Sequence, residues 1–190
     1  MGEIRYEIVR DGGIEQCREL CDELMSFQRS KARMRQELFD AMNFDTRMRP
    51  SYERALDKQV VVAKDDGVPV GYVLSTIDSM ESMTNSPFKL LPPEDALPPK
   101  IGCLSNLYVR EGYRGTGMGS RLFDQAMEWL TGFKDVDRIY VFISNGNDAA
   151  HRFYAKRGFV YSHEVLGGFI TALRLKKDPS ISDRNSRSAL

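Results

Sequence analysis

Arg114-Gly115-Thr116-Gly117-Met118-Gly119 is the most informative motif of this chain. It follows an apolar run, Leu104-Ser105-Asn106-Leu107-Tyr108-Val109, and precedes a segment whose apolar residues recur at helical spacing. The three glycines allow positive φ angles and let a ligand approach the backbone closely. The first N–H groups of a helix have no partners within the helix, and the helix dipole makes them favour an anion. Arg114 adds a charged hydrogen-bond donor. The stretch therefore predicts a turn that cradles a pyrophosphate.

Two other phosphate-binding turns do not fit these residues. A Walker A loop needs a lysine directly after its last glycine, and Ser120 follows Gly119 here. The dinucleotide fingerprint G-x-G-x-x-G needs a sixth-position glycine, but that position is Ser120 counted from Gly115 and Leu122 counted from Gly117. An enzyme that uses ATP or NAD is therefore disfavoured. Because a glycine-rich turn can also simply cap a helix, a second motif is needed to name the ligand.

The second motif lies further along the chain, where Asn147, Ala150, Phe153 and Tyr154 are followed by Gly158-Phe159. Together with the turn, these residues make the chain resemble the GCN5-related N-acetyltransferase (GNAT) superfamily. That family's turn begins with Arg or Gln and has Gly at the fourth position and Gly or Ala at the sixth. Its second signature is Asn, then Ala or Ser three residues on, then Phe-Tyr, with a glycine pair after it. The resemblance covers residues 60–175 well and the N-terminal helices loosely.

The resemblance implies a fold and a co-substrate. The fold is a single domain over residues 1–177, of the α/β (α+β) class, with a mixed central sheet flanked by helices. The strand with Leu107 is implied to splay from the strand with Tyr140, so that the pantetheine arm of acetyl-CoA enters the gap; no metal is implied. The implied CoA-binding residues are Leu107, Tyr108, Val109, Arg114, Gly115, Thr116, Gly117, Met118, Gly119, Ser120 and Asn147.

Tyr154 is the catalytic residue that the resemblance implies, next to the thioester sulfur. A phenol there can donate to the departing thiolate, and the alternative is that Tyr154 only packs. The acceptor amine must also lose a proton. Some relatives carry a glutamate where this chain has Ser105, and the residues beside Ser105 in the sequence offer no carboxylate. A water chain held by Ser105 or Asn106, or a carboxylate such as Glu37 or Asp40, stays open as the base.

We expect direct transfer in a ternary complex, because Cys103 has no evident histidine partner for a covalent acyl-enzyme. A small-molecule amine, such as a polyamine, an amino acid or an antibiotic amine, is the first choice of acceptor. A protein N-terminus or lysine is the second. The rival from another class is a non-catalytic acyl-CoA-binding sensor, which would keep the turn but would not need Tyr154.

Periodicity predicts the order of elements along the chain. Strands are expected at residues 3–10, 60–63, 70–77, 103–109, 138–143, 159–165 and 169–175. Helices are expected at 14–27, 31–44 (a second helix or a bent extension), 51–57, 119–133 and 147–157. The proline-rich segment 79–100 is expected to border the acceptor site or a subunit contact. The polar residues 178–190 are expected to form a disordered tail.

Composition narrows the class further. The 190 residues fit one domain, and 27 basic against 27 acidic residues give no global field for nucleic acid or an anionic membrane. No apolar run approaches the roughly 18 residues of a membrane span, and residues 1–5 lack a secretory apolar region. Three cysteines suit a reducing cytoplasm, and two histidines make a zinc site improbable. A homodimer is compatible with these features.

Overall fold

The computed structural model describes residues 2–10, 12–91, 98–136 and 138–176; the predicted tail at 178–190 lies outside them. Within these ranges seven strands form one mixed sheet, as expected from the sequence, and their order is β1-β2-β3-β4-β5-β7-β6. All neighbouring strands are antiparallel except β4 and β5. The strands are β1 Ile4–Ile8, β2 Asp57–Asp65, β3 Val68–Ser79, β4 Lys100–Val109, β5 Ile139–Ser144, β6 Phe159–Val165 and β7 Ile170–Leu175.

Helices cover both faces of the sheet. They are α1 Arg18–Lys31, α2 Arg49–Arg54, α3 Met80–Thr84, α4 Met118–Thr131 and α5 Asp148–Ala155. Short turns of 3-10 helix lie at Gly13–Cys17, Gln36–Phe39 and Glu111–Tyr113, and one turn of π-helix lies at Phe44–Met48. On one face, Leu122 and Leu130 of α4 pack in a buried cluster with Val73 and Val141 of the sheet. On the other face, Leu20 of α1 belongs to a cluster with the strand residues Val62, Tyr72 and Leu74.

The two central strands part soon after they meet. Pairing between β4 and β5 is limited to Gly102 with Ile139, Cys103 with Tyr140 and Leu104 with Val141. Directly afterwards β4 carries a bulge: Asn106 pairs with Leu74 and Leu104 with Ser75, so that Ser105 has no opposite residue. The splayed strands inferred from the resemblance are therefore present.

The bulge changes which residues of β4 face α4. Leu104 and Leu107 both contact the cluster beneath α4, although a regular strand would place residues three apart on opposite faces. The side chains before and after Ser105 consequently reverse their alternation. Ser105 thus stands at the point where the strand turns away from its neighbour.

The expected helix at 31–44 is wrong. α1 ends at Lys31 and Ala32 is extended, because the chain is held there by the loop after β5. The backbone N–H groups of Arg33 and Met34 donate to Oδ1 of Asn145, at 2.6 and 3.1 Å. Arg35 then takes a left-handed conformation with φ of 53°, which a helix cannot continue. A tertiary contact therefore overrides the apolar periodicity.

The expected helix at 51–57 is displaced. α2 runs from Arg49 to Arg54 with Pro50 in its first turn, where the missing N–H would be unpaired in any case. Its N-cap is Met48, and Asp57 already belongs to β2. Within the expected loop at 79–100, Met80–Thr84 is helical, with Ser79 as its N-cap.

None of the helices in the described ranges is long and apolar enough to cross a membrane.

We expect Gly146→Ala to destabilise the fold. Gly146 has φ of 78°, and a Cβ there would overlap the backbone carbonyl of Lys31, which ends α1. Because the obstacle is backbone, the contact between the β5–α5 loop and the end of α1 would have to move. The melting temperature from circular dichroism measures the effect.

Gly167→Ala is the matched control, since Gly167 has φ of 64° with no atom within 4 Å of an added Cβ. The control should lose about 1–2 kcal/mol from the left-handed conformation alone. Gly146→Ala should lose clearly more, and equal losses in the two variants would contradict the contact.

Candidate active site

The glycine turn before α4 is open to a ligand. Gly115 and Gly117 have φ of 79° and 87°, and no atom lies within 4 Å of a Cβ built on either. Gly117 is the N-cap of α4, whose first N–H groups therefore face the turn. The hydroxyl of Thr116 donates to the carbonyl of Tyr113 at 2.7 Å and fixes the preceding residues. An open, glycine-lined helix start of this kind fits a pyrophosphate.

Arg114 is tied to the neighbouring strand. Its Nε donates to the carbonyl of Val109 at 2.9 Å, and its guanidinium lies 4.4 Å from the ring centroid of Phe27 in α1. Arg114 thus holds the turn against the end of β4 and against α1.

Arg157 joins the two motifs, a contact that the spacing of the motifs did not reveal. Its guanidinium donates to the hydroxyl of Ser120 at 2.7 Å and lies 3.6 Å from the ring centroid of Phe153. It therefore links the end of α5 to the start of α4. The only sequence signal for it is a basic residue directly before Gly158.

A narrow cavity of about 50 Å³ lies between the parted strands. Leu107 lines it from β4, and Ile143 lines it from β5. Beyond Leu104 the edge of β4 that faces β5 has no strand partner, so its N–H and C=O groups are available to an extended ligand. Tyr108 and Val109 continue this edge toward the glycine turn.

Tyr154 lines the same cavity from α5. It is 5% exposed, and its ring lies 5.7 Å from Phe159 and 6.2 Å from Phe123, centroid to centroid. Burial raises the pKa of its hydroxyl, with the nearby Cys103 adding to the effect. The group therefore stays protonated at neutral pH and can act as a donor. The ring contacts mean that Tyr154 also contributes to packing.

Asn147 is the N-cap of α5. Its side-chain oxygen accepts from the N–H of Ala150 at 3.2 Å, and the residue lines the cavity between the strands. The oxygen is used by the helix, so the amide NH₂ is the group left for a ligand.

A second cavity, of about 80 Å³, opens on the α1 side of the split. Ser105, Asn106 and Phe142 line both cavities, and they connect the two. Met83 and Leu90, which belong to the described part of the 79–100 segment, also line the second cavity. We call it the acceptor-side pocket, since it meets the split opposite the glycine turn.

The acceptor-side pocket contains a carboxylate that sequence reasoning missed. Asp78, at the end of β3, is 2% exposed and accepts from the hydroxyl of Thr76 at 2.6 Å. That hydroxyl is in turn 2.9 Å from the hydroxyl of Ser105. Asp78, Thr76 and Ser105 therefore form one hydrogen-bonded chain that leads from the bulge into the pocket. The available signal was an acidic residue that ends an otherwise apolar strand.

The charge state of Asp78 depends on its burial. Burial raises the pKa of its carboxyl, while the bond from Thr76 and the charge of Arg54 lower it. Its second oxygen, Oδ1, is buried and has no hydrogen-bond partner among the described residues. Buried polar atoms are usually paired, so Oδ1 is available to a polar group that enters the pocket.

The other candidate bases lie at the surface. Asp40 pairs with Arg29 at 2.8 Å with 59% of its side chain exposed, and the Glu37 side chain is 68% exposed. Neither lines the pocket. Cys103 does, but burial raises the pKa of its thiol to about 12, so the thiolate is scarce at neutral pH. Among the described residues no three His, Cys, Asp or Glu side chains lie close enough together to hold a metal.

Comparison with known structures gives the fold an independent test. The chain superposes on the NatC complex bound to Gag peptide and CoA with a TM-score of 0.59 at 17% identity, covering 93% of this chain and 99% of that one. PaiA N-acetyltransferase from Thermoplasma acidophilum, in complex with coenzyme A, gives 0.61 at 14% identity, covering 92% and 99%. Naa50 from Arabidopsis thaliana, in complex with a bisubstrate analogue, gives 0.58 at 18%, covering 92% and 99%.

Sequence comparison identifies the family. No curated protein matches the chain in a sequence search. The model of the Acetyltransferase (GNAT) family matches residues 18–159, which include α1, the glycine turn and the Asn147–Tyr154 motif. The open mixed sheet, the parted central strands and this match agree, and the chain belongs to the GNAT family of acetyltransferases.

Proposed function

We propose that the protein transfers the acetyl group of acetyl-CoA to the primary amine of a small acceptor, by direct attack in a ternary complex. The observation that carries the proposal is the split between β4 and β5. It has the glycine turn at one end and the acceptor-side pocket at the other, with Ser105 and Asn106 shared between the two cavities. Thioester and amine can thus meet where the two cavities join.

The size of the acceptor-side pocket supports a small acceptor. At about 10–15 Å³ for each water-sized group, 80 Å³ holds about five to eight such groups. A small amine fits that volume whole, whereas a polypeptide would enter with its terminal residue or one side chain only. The peptide-bound NatC structure has the same fold, so a protein amine is the second candidate, to be tested beside small amines.

Acetyl-CoA is held by backbone groups on this proposal. Gly115, Gly117 and the first N–H groups of α4 bind the pyrophosphate, and the free edge of β4 pairs with the pantetheine arm. Arg114 and Arg157 keep the turn in place through Val109 and Ser120. Asn147 offers its amide NH₂ from the start of α5.

Tyr154 is proposed as the acid. Its hydroxyl is protonated at neutral pH, and the residue lines the cavity between the strands, where we place the departing sulfur. Donation from the phenol to the thiolate stabilises the leaving group as the C–S bond breaks. The weak acidity caused by burial favours a hydrogen bond from the phenol to the developing thiolate over full transfer of the phenolic proton.

The amine proton is proposed to leave through the Ser105–Thr76–Asp78 chain. An amine beside Ser105 donates to its hydroxyl, and each hydroxyl passes a proton on toward Asp78. The carboxylate is the only group of the three that accepts a proton near neutral pH, and its raised pKa makes it a better base than an exposed aspartate. The buried, protonated thiol of Cys103 argues against a covalent acyl-enzyme.

The sensor alternative leaves this hydrogen-bonded chain and Tyr154 without a purpose. The buried free cysteines agree with a cytoplasmic location, which stays an expectation, as does the homodimer.

Gly117→Val should weaken acetyl-CoA binding at least tenfold, because a branched side chain would fill the open space above the turn and strain its φ of 87°. Calorimetry measures the affinity. Gly12→Val is the control, since Gly12 has φ of 74° and equally open surroundings away from the turn. Unchanged affinity in a folded Gly117→Val protein would move the CoA site elsewhere.

Tyr154→Phe should lower kcat and kcat/KM together by about 10²–10⁴-fold and leave acetyl-CoA affinity unchanged, because only the hydroxyl is lost. Initial rates of CoA thiol release and calorimetry give the two quantities. Tyr161→Phe removes a hydroxyl from a tyrosine that is 64% exposed and should have no effect. A wild-type kcat in Tyr154→Phe, where chemistry limits the rate, would remove Tyr154 from the mechanism.

Asp78→Asn should abolish the acidic limb of the pH profile of kcat/KM. Because Asp78 must be ionised to act and burial raises its pKa, the wild-type rate should fall as pH drops below a value higher than that of an ordinary aspartate. Thr76→Val keeps the shape of the side chain but removes the hydroxyl that links Ser105 to Asp78. It should therefore lower kcat although the carboxylate remains. Ser75→Ala, a buried hydroxyl outside the chain, is the control. An unchanged limb in Asp78→Asn would exclude Asp78 as the base.

A further inference from the structure

The charges that line the acceptor-side pocket are unequal. Among the described residues that line it, Arg47 in the π-turn and Arg54 in α2 stand against the single carboxylate of Asp78. Arginine stays protonated in proteins, while burial raises the pKa of Asp78. The pocket therefore carries at least one positive charge in excess.

Arg47 has no counter-ion among the residues that the structure describes. Its guanidinium lies 4.4 Å from the ring centroid of Phe88, and it makes neither a hydrogen bond nor an ion pair with any residue in the described ranges. Burial and the neighbouring Arg54 lower its pKa, which means that its charge is poorly solvated. A largely buried guanidinium with all its donors free is unfavourable unless an anion accompanies it.

The ion pair with Asp78 leaves the charge of Arg54 only partly neutralised. Its Nε lies 3.8 Å from Oδ1 of Asp78, which is an ion pair but too long for a hydrogen bond. One third of the Arg54 side chain is exposed, so water screens part of its charge. Arg47 and Arg54 consequently present two cations to the same space.

Two buried polar atoms complete the lining. Oδ1 of Asp78 on β3 and Oγ of Ser144 on β5 both lack a hydrogen-bond partner among the described residues. Both belong to residues that line this pocket, from opposite sides of the split. Native structures seldom leave such atoms unpaired, so a polar ligand is expected between the two strands.

We propose that the acceptor is a small amine that also carries a carboxylate, such as an amino acid, with the carboxylate bound by Arg47 and Arg54. A planar guanidinium pairs with a carboxylate through two parallel hydrogen bonds, which fits an arginine whose donors are all free. The amine end then lies at Ser105, where the hydrogen-bonded chain to Asp78 begins. A polyamine would bring further positive charge into a positive pocket. We therefore expect a polyamine to be a poorer acceptor than an amino acid.

The inference rests on the proposed function and deepens it, so the experiment separates the two. Purified protein with acetyl-CoA is offered free amino acids and their carboxamides as matched pairs, together with a diamine, an aminoglycoside, an acetyl-accepting peptide and phosphoethanolamine. CoA thiol release gives kcat/KM for each. We expect the free acids to exceed their carboxamides by about 10–100-fold, the value of a charged hydrogen-bonded pair.

Arg47→Gln tests the residue. It should reduce the preference for acid over carboxamide to near unity, through KM rather than kcat, and leave acetyl-CoA affinity unchanged. Arg47→Lys, which keeps the charge but loses the fork, should retain part of the preference. Arg5→Gln is the control, since the Arg5 side chain is 74% exposed on β1.

The possible results distinguish failure of the carboxylate site from failure of the acetyltransferase activity. Acids and carboxamides used equally well, or a diamine or peptide preferred, would overturn the carboxylate site and leave the acetyltransferase intact. A preference for phosphoethanolamine would overturn the carboxylate in favour of a phosphate. Acetyl-CoA that binds but is not consumed with any amine would overturn the proposed function itself.

Discussion

The parting of β4 from β5 is the constraint on which the rest of the molecule depends. A sheet gains its stability from paired backbone groups, yet these two strands pair over three residues and then separate. The bulge at Ser105 turns β4 away from its neighbour and leaves one edge of the strand without a partner. An extended ligand can pair with such an edge as a further strand would. The same separation connects the two faces of the sheet.

Packing on both faces keeps the gap from closing. α4 covers one face through Leu122 and Leu130, and α1 covers the other through Leu20. On the far side of the gap, β5 is held by its antiparallel pairing with β7. Asn145, at the end of β5, also holds the backbone of Arg33 and Met34 and so anchors the end of α1. Helix packing on both faces and the pairing of β5 with β7 therefore keep β4 and β5 apart.

Local motifs account for what could be predicted from the sequence, and long-range contacts account for the rest. The glycine turn and the Asn147–Tyr154 motif are continuous in the chain, so their chemistry and the fold follow from spacing. Asp78 and Ser105 are far apart in sequence and meet only because β3 pairs with β4. Arg47 belongs to no motif in the sequence, and only the folded chain brings it beside Arg54. The end of α1 was missed because its cause, Asn145, lies 112 residues from Arg33 along the chain.

Amide hydrogen exchange with and without acetyl-CoA tests the central statement, that the gap between β4 and β5 receives the thioester arm. When acetyl-CoA binds, we expect slower exchange for those amides of Leu107, Tyr108 and Val109 that face the gap. The amides of residues 115–120 should also exchange more slowly. The amides of β6, which pairs only with β7, should be unaffected. Protection of the glycine turn without any change along β4 would contradict insertion of the thioester arm into the gap, because the arm would then run outside the sheet.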